Sequence, residues 1–230
     1  MTIHLERGEQ IATITIDRTH RRNALDLASL EDLHAAVVRC VADGTRAIVL
    51  TGADGHFCAG ADLTELEDVS FTTRLAQVLA HLAAVPVTTV AAIEGSCMGL
   101  GMQLALACDV RVAGASARFA VPVARLGLMV DHWTLTRLGR LWGEGTARHL
   151  VLTGAVLDAD DAWRLGFASQ QGSLADAQAL AARAARLALR LRRERVRQQG
   201  DILVDGAALR RLAIGLRAAR RHHAGLQRAV

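Results

Sequence analysis

The chain has 230 residues, 51% hydrophobic and 22% charged, with a formal net charge of +4. That is enough chain to bury a sizeable core, and the balance is that of an ordinary globular protein. It excludes a membrane-spanning helix, because no uncharged apolar run of about 18 residues occurs.

The first residues, Met1-Thr2-Ile3-His4-Leu5-Glu6-Arg7, lack the basic-then-apolar order of a secretory leader, so a cytoplasmic protein is expected. Cys40, Cys58, Cys97 and Cys108 form no CxxC pair and match no zinc spacing. They read as small buried residues in a reducing compartment, and no metal site is expected. The modest positive charge is compatible with a polyanionic ligand but does not demand one.

Two short strands are predicted over residues 2–7 and 10–17, where Ala12, Ile14 and Ile16 alternate with Ile11, Thr13 and Thr15. Asp26 is a suitable N-cap for a helix carrying Leu27, Leu30, Leu33, Val37 and Val41 on its apolar face, stopped by Gly44. Residues 46–50 form a compact buried strand. A glycine-rich loop runs from Gly52 to Asp62, then a helix from Thr72 to Ala84, ended by Pro86. Val87 to Ile93 is the next strand. A second glycine-rich turn, Gly95 to Gly101, opens a helix through Ala107, and a strand follows near Val110 to Ala113.

From about Leu126 the pattern is mostly helical. Asp131 is positioned to cap a helix from Thr134 to Leu141, and long helices are predicted over 174–198 and 204–226. Strand–helix alternation implies an α/β fold. The division expected is an α/β core over 1–170 and a helical C-terminal region over 171–230. No low-complexity linker separates them, so the tail should pack on the core or on another subunit.

Two glycine-rich turns, each following a buried strand, suit one chemistry. Reaction at the α-carbon of a thioester creates an enolate-like oxyanion, and backbone N–H groups at a helix N-terminus stabilise such charge. The blocks His56-Phe57-Cys58-Ala59-Gly60-Ala61-Asp62-Leu63 and Glu94-Gly95-Ser96-Cys97-Met98-Gly99-Leu100-Gly101-Met102-Gln103-Leu104 resemble the enoyl-CoA hydratase/isomerase (crotonase) family. Asp17-Arg18-Thr19-His20-Arg21-Arg22-Asn23-Ala24-Leu25, Phe119-Ala120-Val121-Pro122, Arg125-Leu126-Gly127-Leu128 and the stretch from Gly145 to Gly166 extend the likeness over roughly residues 2 to 185.

The resemblance implies a crotonase (ClpP-like) spiral of repeated ββα units with a helical C-terminal trimerisation region, assembled as a homotrimer or hexamer. It implies a coenzyme A thioester as substrate or ligand and no resident cofactor. The oxyanion-hole donors would be the N–H groups of Ala61 and Leu100. The family usually has glycine at the second position, and the leucine side chain is expected to narrow the pocket. Arg21, Arg22 and Ala24, with the backbone of Cys58, Ala59, Gly60 and Ala61, would meet the CoA. His132 and Trp133 fall beside the acyl pocket, and Asp62 would be a structural cap.

The family's hydratases activate water with two glutamates, and here Gln103 and Val123 stand in their places. An amide cannot exchange a proton near neutral pH, and valine has no polar atom. Ordinary hydration is therefore disfavoured on chemical grounds. Asp131, eight residues after Val123, has two readings: the acid/base of an enoyl-CoA isomerase or weak hydratase, a position some relatives use for a catalytic aspartate, or the helix cap. A mycobacterial subgroup of the family also lacks both glutamates and is viewed as an acyl-CoA binder.

The C-terminus departs from the family. It ends Arg220-Arg221-His222-His223-Ala224-Gly225-Leu226-Gln227-Arg228-Ala229-Val230 in place of the usual segment covering the CoA. A basic run from Arg183 to Arg197 has no interleaved aromatics for base stacking, so it reads as a solvated helix face and not as a nucleic-acid surface.

Overall fold

The computed structural model describes residues 2–62 and 69–187. The alternation in the first strands has a direct outcome. β1 (Ile3–Arg7) and β2 (Ile11–Ile16) pair antiparallel, and β2 turns Ala12, Ile14 and Ile16, each fully buried, to one face. β3 (Ala47–Gly52), β4 (Thr88–Ile93), β6 (Val110–Ala113) and β9 (Gln170–Gln171) then add in parallel, giving a six-stranded sheet in the order β1-β2-β3-β4-β6-β9. Parallel strands covered on both faces read as near-continuous apolar runs, and residues 47–50 do so.

The two faces of this sheet belong to different cores. Ile48, Leu50, Ala91 and Ile93 face the main cluster, under α1 (Leu27–Ala42) and α2 (Val69–Ala84). Ala47, Val49, Val90, Ala92 and Val112 face the other way, against Ala177, Ala181 and Ala185 of α7 (Leu174–Leu187). Alanine at every fourth position forms one stripe along α7, so this helix lies close on the strands. Gln178 at its edge donates to Thr13 Oγ1 at 3.1 Å.

A smaller sheet holds β5 (Ser96–Met98), β7 (Arg118–Ala120) and β8 (Val156–Asp158), in the order β5-β7-β8. Strand, short extended stretch and helix thus recur three times. They are β3, Cys58 and α2; then β4, β5 and α3 (Leu100–Ala107); then β6, β7 and α4 (His132–Trp142). The long strands stack as β3-β4-β6, and the short ones as Cys58-β5-β7 through the Cys58–Cys97 bridge. This is the ββα repeat expected for the fold. α5 (Glu144–Thr153) and α6 (Ala159–Arg164) complete the described chain.

Four short strands depart from the sequence expectation. Residues 96–98, expected within a turn, form β5; 118–120 carry no strand signal yet form β7; and β8 and β9 fall where the pattern reads as mostly helical. Three residues are too few to show a period of two. α2 also begins three residues earlier, at Val69. The predicted continuation of the 174–198 helix beyond Leu187, the predicted helix over 204–226, the basic residues from Arg190 onward and residues 188–230 of the expected C-terminal trimerisation region lie outside the described residues.

Candidate functional site

The site is organised by the two glycine-rich turns, which run side by side. Cys58 N–H donates to Ser96 O and Met98 N–H to Cys58 O, so the first turn is stitched to β5. Gly99, the N-cap of α3, has φ +51° and ψ −109°, a conformation suited to glycine. Two residues on, a methyl group on Gly101 would lie 2.2 Å from Cys58 O, so only glycine allows this approach. Gly60 Cα lies 4.0 Å from where a Cβ on Gly99 would sit.

The N–H groups of Ala61 and Leu100 have no acceptor among the described residues. For Leu100 the reason is its place as first residue of α3, where N–H groups have no intrahelical partner. For Ala61 it is strand geometry. Gly60 O accepts from Leu25 N–H and Asp62 N–H donates to Leu25 O, so the intervening Ala61 N–H points to the opposite side. The Leu100 side chain corrects one expectation: it is 3% exposed and lies in the main core, so it does not narrow an open pocket.

Gln103, half-buried one turn along α3, meets α4. Its Nε2 donates to Asp131 Oδ2 at 3.0 Å and to Thr134 Oγ1 at 2.8 Å. Thr134, almost fully buried, donates its hydroxyl to Asp131 Oδ2 at 2.5 Å and its backbone N–H to Asp131 Oδ1 at 3.0 Å. Asp131 is therefore the N-cap of α4 and also the acceptor of the Gln103 amide. Val123 is half-buried against the main core in the 3-10 turn Pro122–Leu126, where it presents no polar atom.

His132 is exposed and pairs only weakly with Thr136, at 3.4 Å. Trp133 packs partly on the core, with the Arg137 guanidinium 4.9 Å from its ring centroid.

Of the residues expected to meet CoA, Arg21 and Arg22 are exposed, and no ion pair engages either among the described residues. Arg22 itself and Asn23 adopt the left-handed conformation, in a turn that directly follows Arg21. Ala24 O is taken by Arg18 Nη1 at 2.6 Å, and Ala59 N–H donates to Arg22 O. Cys58 is fully buried, and burial pushes its thiol up to about 12, so only its backbone borders the turn. The same burial holds the Cys97 thiol well above its usual range.

The sequence reading gives Asp26 and Asp62 capping roles but no role to Arg18, Asn23 or Thr134, which hold this frame. Arg18, mostly buried, pairs with Asp26 at 2.8 Å and Asp62 at 3.5 Å, tying the α1 cap to the end of the first turn. Burial alone would push the Asp26 carboxyl up. The bond from the Ser29 backbone N–H, at 2.8 Å, and the charge of Arg18 outweigh it and hold the carboxyl below its usual range. Asn23, fully buried, accepts from Arg18 N–H and donates to Ala53 O and His56 O. Thr134 carried one local signal, its place three residues after a capping aspartate, but its contact with Gln103 spans 31 residues.

Among the described residues no group of three or more His, Cys, Asp or Glu is placed to hold a metal ion. A surface groove of about 620 Å³ lies elsewhere, lined by Ala113, Arg118, Asp158, Asp160 and Gln171, and shares no residue with the two turns. No helix among the described residues is long and apolar enough to cross a membrane.

Residues 6–227 match the family model described as Enoyl-CoA hydratase/isomerase. The Mycobacterium tuberculosis protein named probable enoyl-CoA hydratase echA6 is 41% identical over 187 residues, covering 81% of this chain and 77% of its own. A short-chain-enoyl-CoA hydratase of Clostridium acetobutylicum is 32% identical over 72% of this chain and 67% of its own. Among solved structures, an enoyl-CoA hydratase/carnithine racemase from Magnetospirillum magneticum superposes with a TM-score of 0.78 at 27% identity, covering 96% of this chain and 93% of that one.

Proposed function

Since the chain belongs to the enoyl-CoA hydratase/isomerase family, we propose that it binds acyl-CoA thioesters in fatty-acid or lipid metabolism and lacks ordinary enoyl-CoA hydratase activity. The thioester oxygen is held by the N–H groups of Ala61 and Leu100, which stand on adjacent turns and have no acceptor among the described residues. Arg21 and Arg22 supply charge for the phosphates, beside the backbone of Ala24 and residues 58–61. The acyl chain runs past Gln103 and Val123 towards Trp133 and His132. No resident cofactor or metal enters this reading.

One observation carries the loss of hydration. At position 103 an amide bonds both Asp131 and Thr134, and at 123 there is valine, so neither group can take a proton from water.

A second reading rests on Asp131, the carboxylate bonded to Gln103 Nε2. As an acid/base it would make the protein an enoyl-CoA isomerase. Against it, both its oxygens are engaged, accepting three bonds in all from Thr134 and Gln103. A proton shuttle would have to break the bonds that cap α4.

Incubating the protein with trans-2- and trans-3-enoyl-CoA in deuterated water, followed by mass spectrometry, separates the readings. The expected result is bound thioester with neither added water nor deuterium uptake. Deuterium uptake with a moved double bond, abolished by Asp131→Asn, would establish the isomerase. A homotrimer or hexamer, with the C-terminal region at its interfaces, completes the proposal; mass photometry reads it directly, and a monomer peak alone would overturn it.

A further inference from the structure

Resting on the acyl-CoA reading, we infer that Asp131 and Thr134 lock the Gln103 carboxamide with its oxygen outward, making Gln103 a hydrogen-bond acceptor that selects thioesters carrying a donor on the first acyl carbons. The orientation of the amide follows from its partners. The Asp131 carboxylate only accepts, so the nitrogen and not the oxygen of Gln103 must face it. Thr134 donates its single hydroxyl proton to Asp131 Oδ2, so towards Gln103 it too can only accept. Both hydrogens of Nε2 are taken up. Oε1 is left with no partner among the described residues, and it is not among the buried atoms that lack one.

The place of this acceptor comes from helix geometry. Leu100 and Gln103 are three residues apart on α3, hence on one face and about 4.5 Å apart along the axis. Helical side chains lean back towards the N-terminus, so the carboxamide covers the turn that carries the Leu100 N–H. A thioester oxygen on that N–H places the next one or two acyl carbons beside Oε1. There a hydroxyl would find an acceptor, whereas a saturated or enoyl chain would leave the amide oxygen without a partner. Thr134 and Asp131 touch no ligand in this arrangement and act as positioning residues.

The test is calorimetric titration of the full chain with saturated, trans-2-enoyl and both enantiomers of 3-hydroxyacyl-CoA, matched at several even chain lengths from short to long. The readout is the affinity ratio of hydroxyacyl to saturated thioester. In the wild type one enantiomer should bind about two- to tenfold tighter than its saturated counterpart, the range of one neutral hydrogen bond. The ratio should fall to about one in Gln103→Met and in Thr134→Val, and survive in Thr134→Ser, which keeps the hydroxyl. A ratio of one in the wild type, or one that persists in Gln103→Met, overturns the acceptor role while leaving acyl-CoA binding intact. A ratio that persists in Thr134→Val alone overturns the positioning role. If the folded protein binds no thioester at any length, the acyl-CoA reading falls together with this one.

Discussion

A glutamine and an aspartate from different helices share one hydrogen-bond node, and that coupling governs what substitution at either would do. Gln103→Glu would set a second carboxylate about 3.0 Å from Asp131 and remove a donor that Asp131 now uses. It should destabilise the fold by about 1–3 kcal/mol, the cost of stranding a polar partner with like charges adjacent. Adding Asp131→Asn should recover part of that loss, and urea denaturation of the double-mutant cycle would read the coupling. Additive effects would show that the two side chains do not act together. The same contact means that, on the proposed reading, a glutamate at position 103 alone should not confer hydratase activity. Gly101 is the other sensitive position. Gly101→Ala places a methyl 2.2 Å from Cys58 O, so the turns must part, and thioester affinity should fall at least tenfold in calorimetry. Wild-type affinity in that variant would separate binding from the juxtaposed turns.

Helices in this chain do different jobs with similar compositions. α1 and α2 cover one face of the sheet with large apolar side chains such as Leu30, Leu33, Leu79 and Leu82, whereas α7 uses alanines on the other. The alanine stripe is therefore a spacing device. Ala181→Leu should force α7 off β3 and β4 and cost about 1–3 kcal/mol by overpacking. An unchanged midpoint in thermal unfolding would mean that α7 is held elsewhere. Between α1 and α2, Arg74 donates to His34 Nδ1 at 3.0 Å and pairs with Glu31 at 2.6 Å, while the His34 and His81 rings meet edge-on at 4.8 Å. Burial, then the charges of Arg74 and His81, hold the His34 imidazole below its usual range; Glu31 opposes them.

For the whole molecule these local shifts add to one direction of acid sensitivity. His34 stays neutral in the fold below the usual imidazole value of 6.5, while the unfolded chain takes up a proton there. Its contribution is thus complete above about pH 6.5 and declines as the pH falls from there to the depressed folded value. Asp26 is also depressed. Its contribution is complete above the usual 3.8 and is lost as the pH falls through its lower folded value. Unfolding midpoints should therefore fall in two stages from neutral pH to acid. His34→Gln should flatten the first stage; the same slope in that variant would assign it to another group.

The order of the long strands and helices along 2–62 and 69–113, the Asp26 and Asp131 caps and the family resemblance were legible because each rests on local chemistry. A cap is read from one residue and its neighbours, a buried parallel strand from a run of apolar residues, and a glycine turn from glycines at short spacing. The exchange of both glutamates for Gln103 and Val123 was equally plain in the chain. Short strands β5 and β7 were not legible, since their pairing is with segments distant in sequence and their own pattern is too brief. Nor were the Arg18 clamp, the alanine spacing under the sheet or the burial of the Leu100 side chain. The two readings of Asp131 turned on tertiary contact in the same way. Its capping bond is local, three residues long, but its bond to Gln103 spans 28 residues and exists only because α3 and α4 pack together.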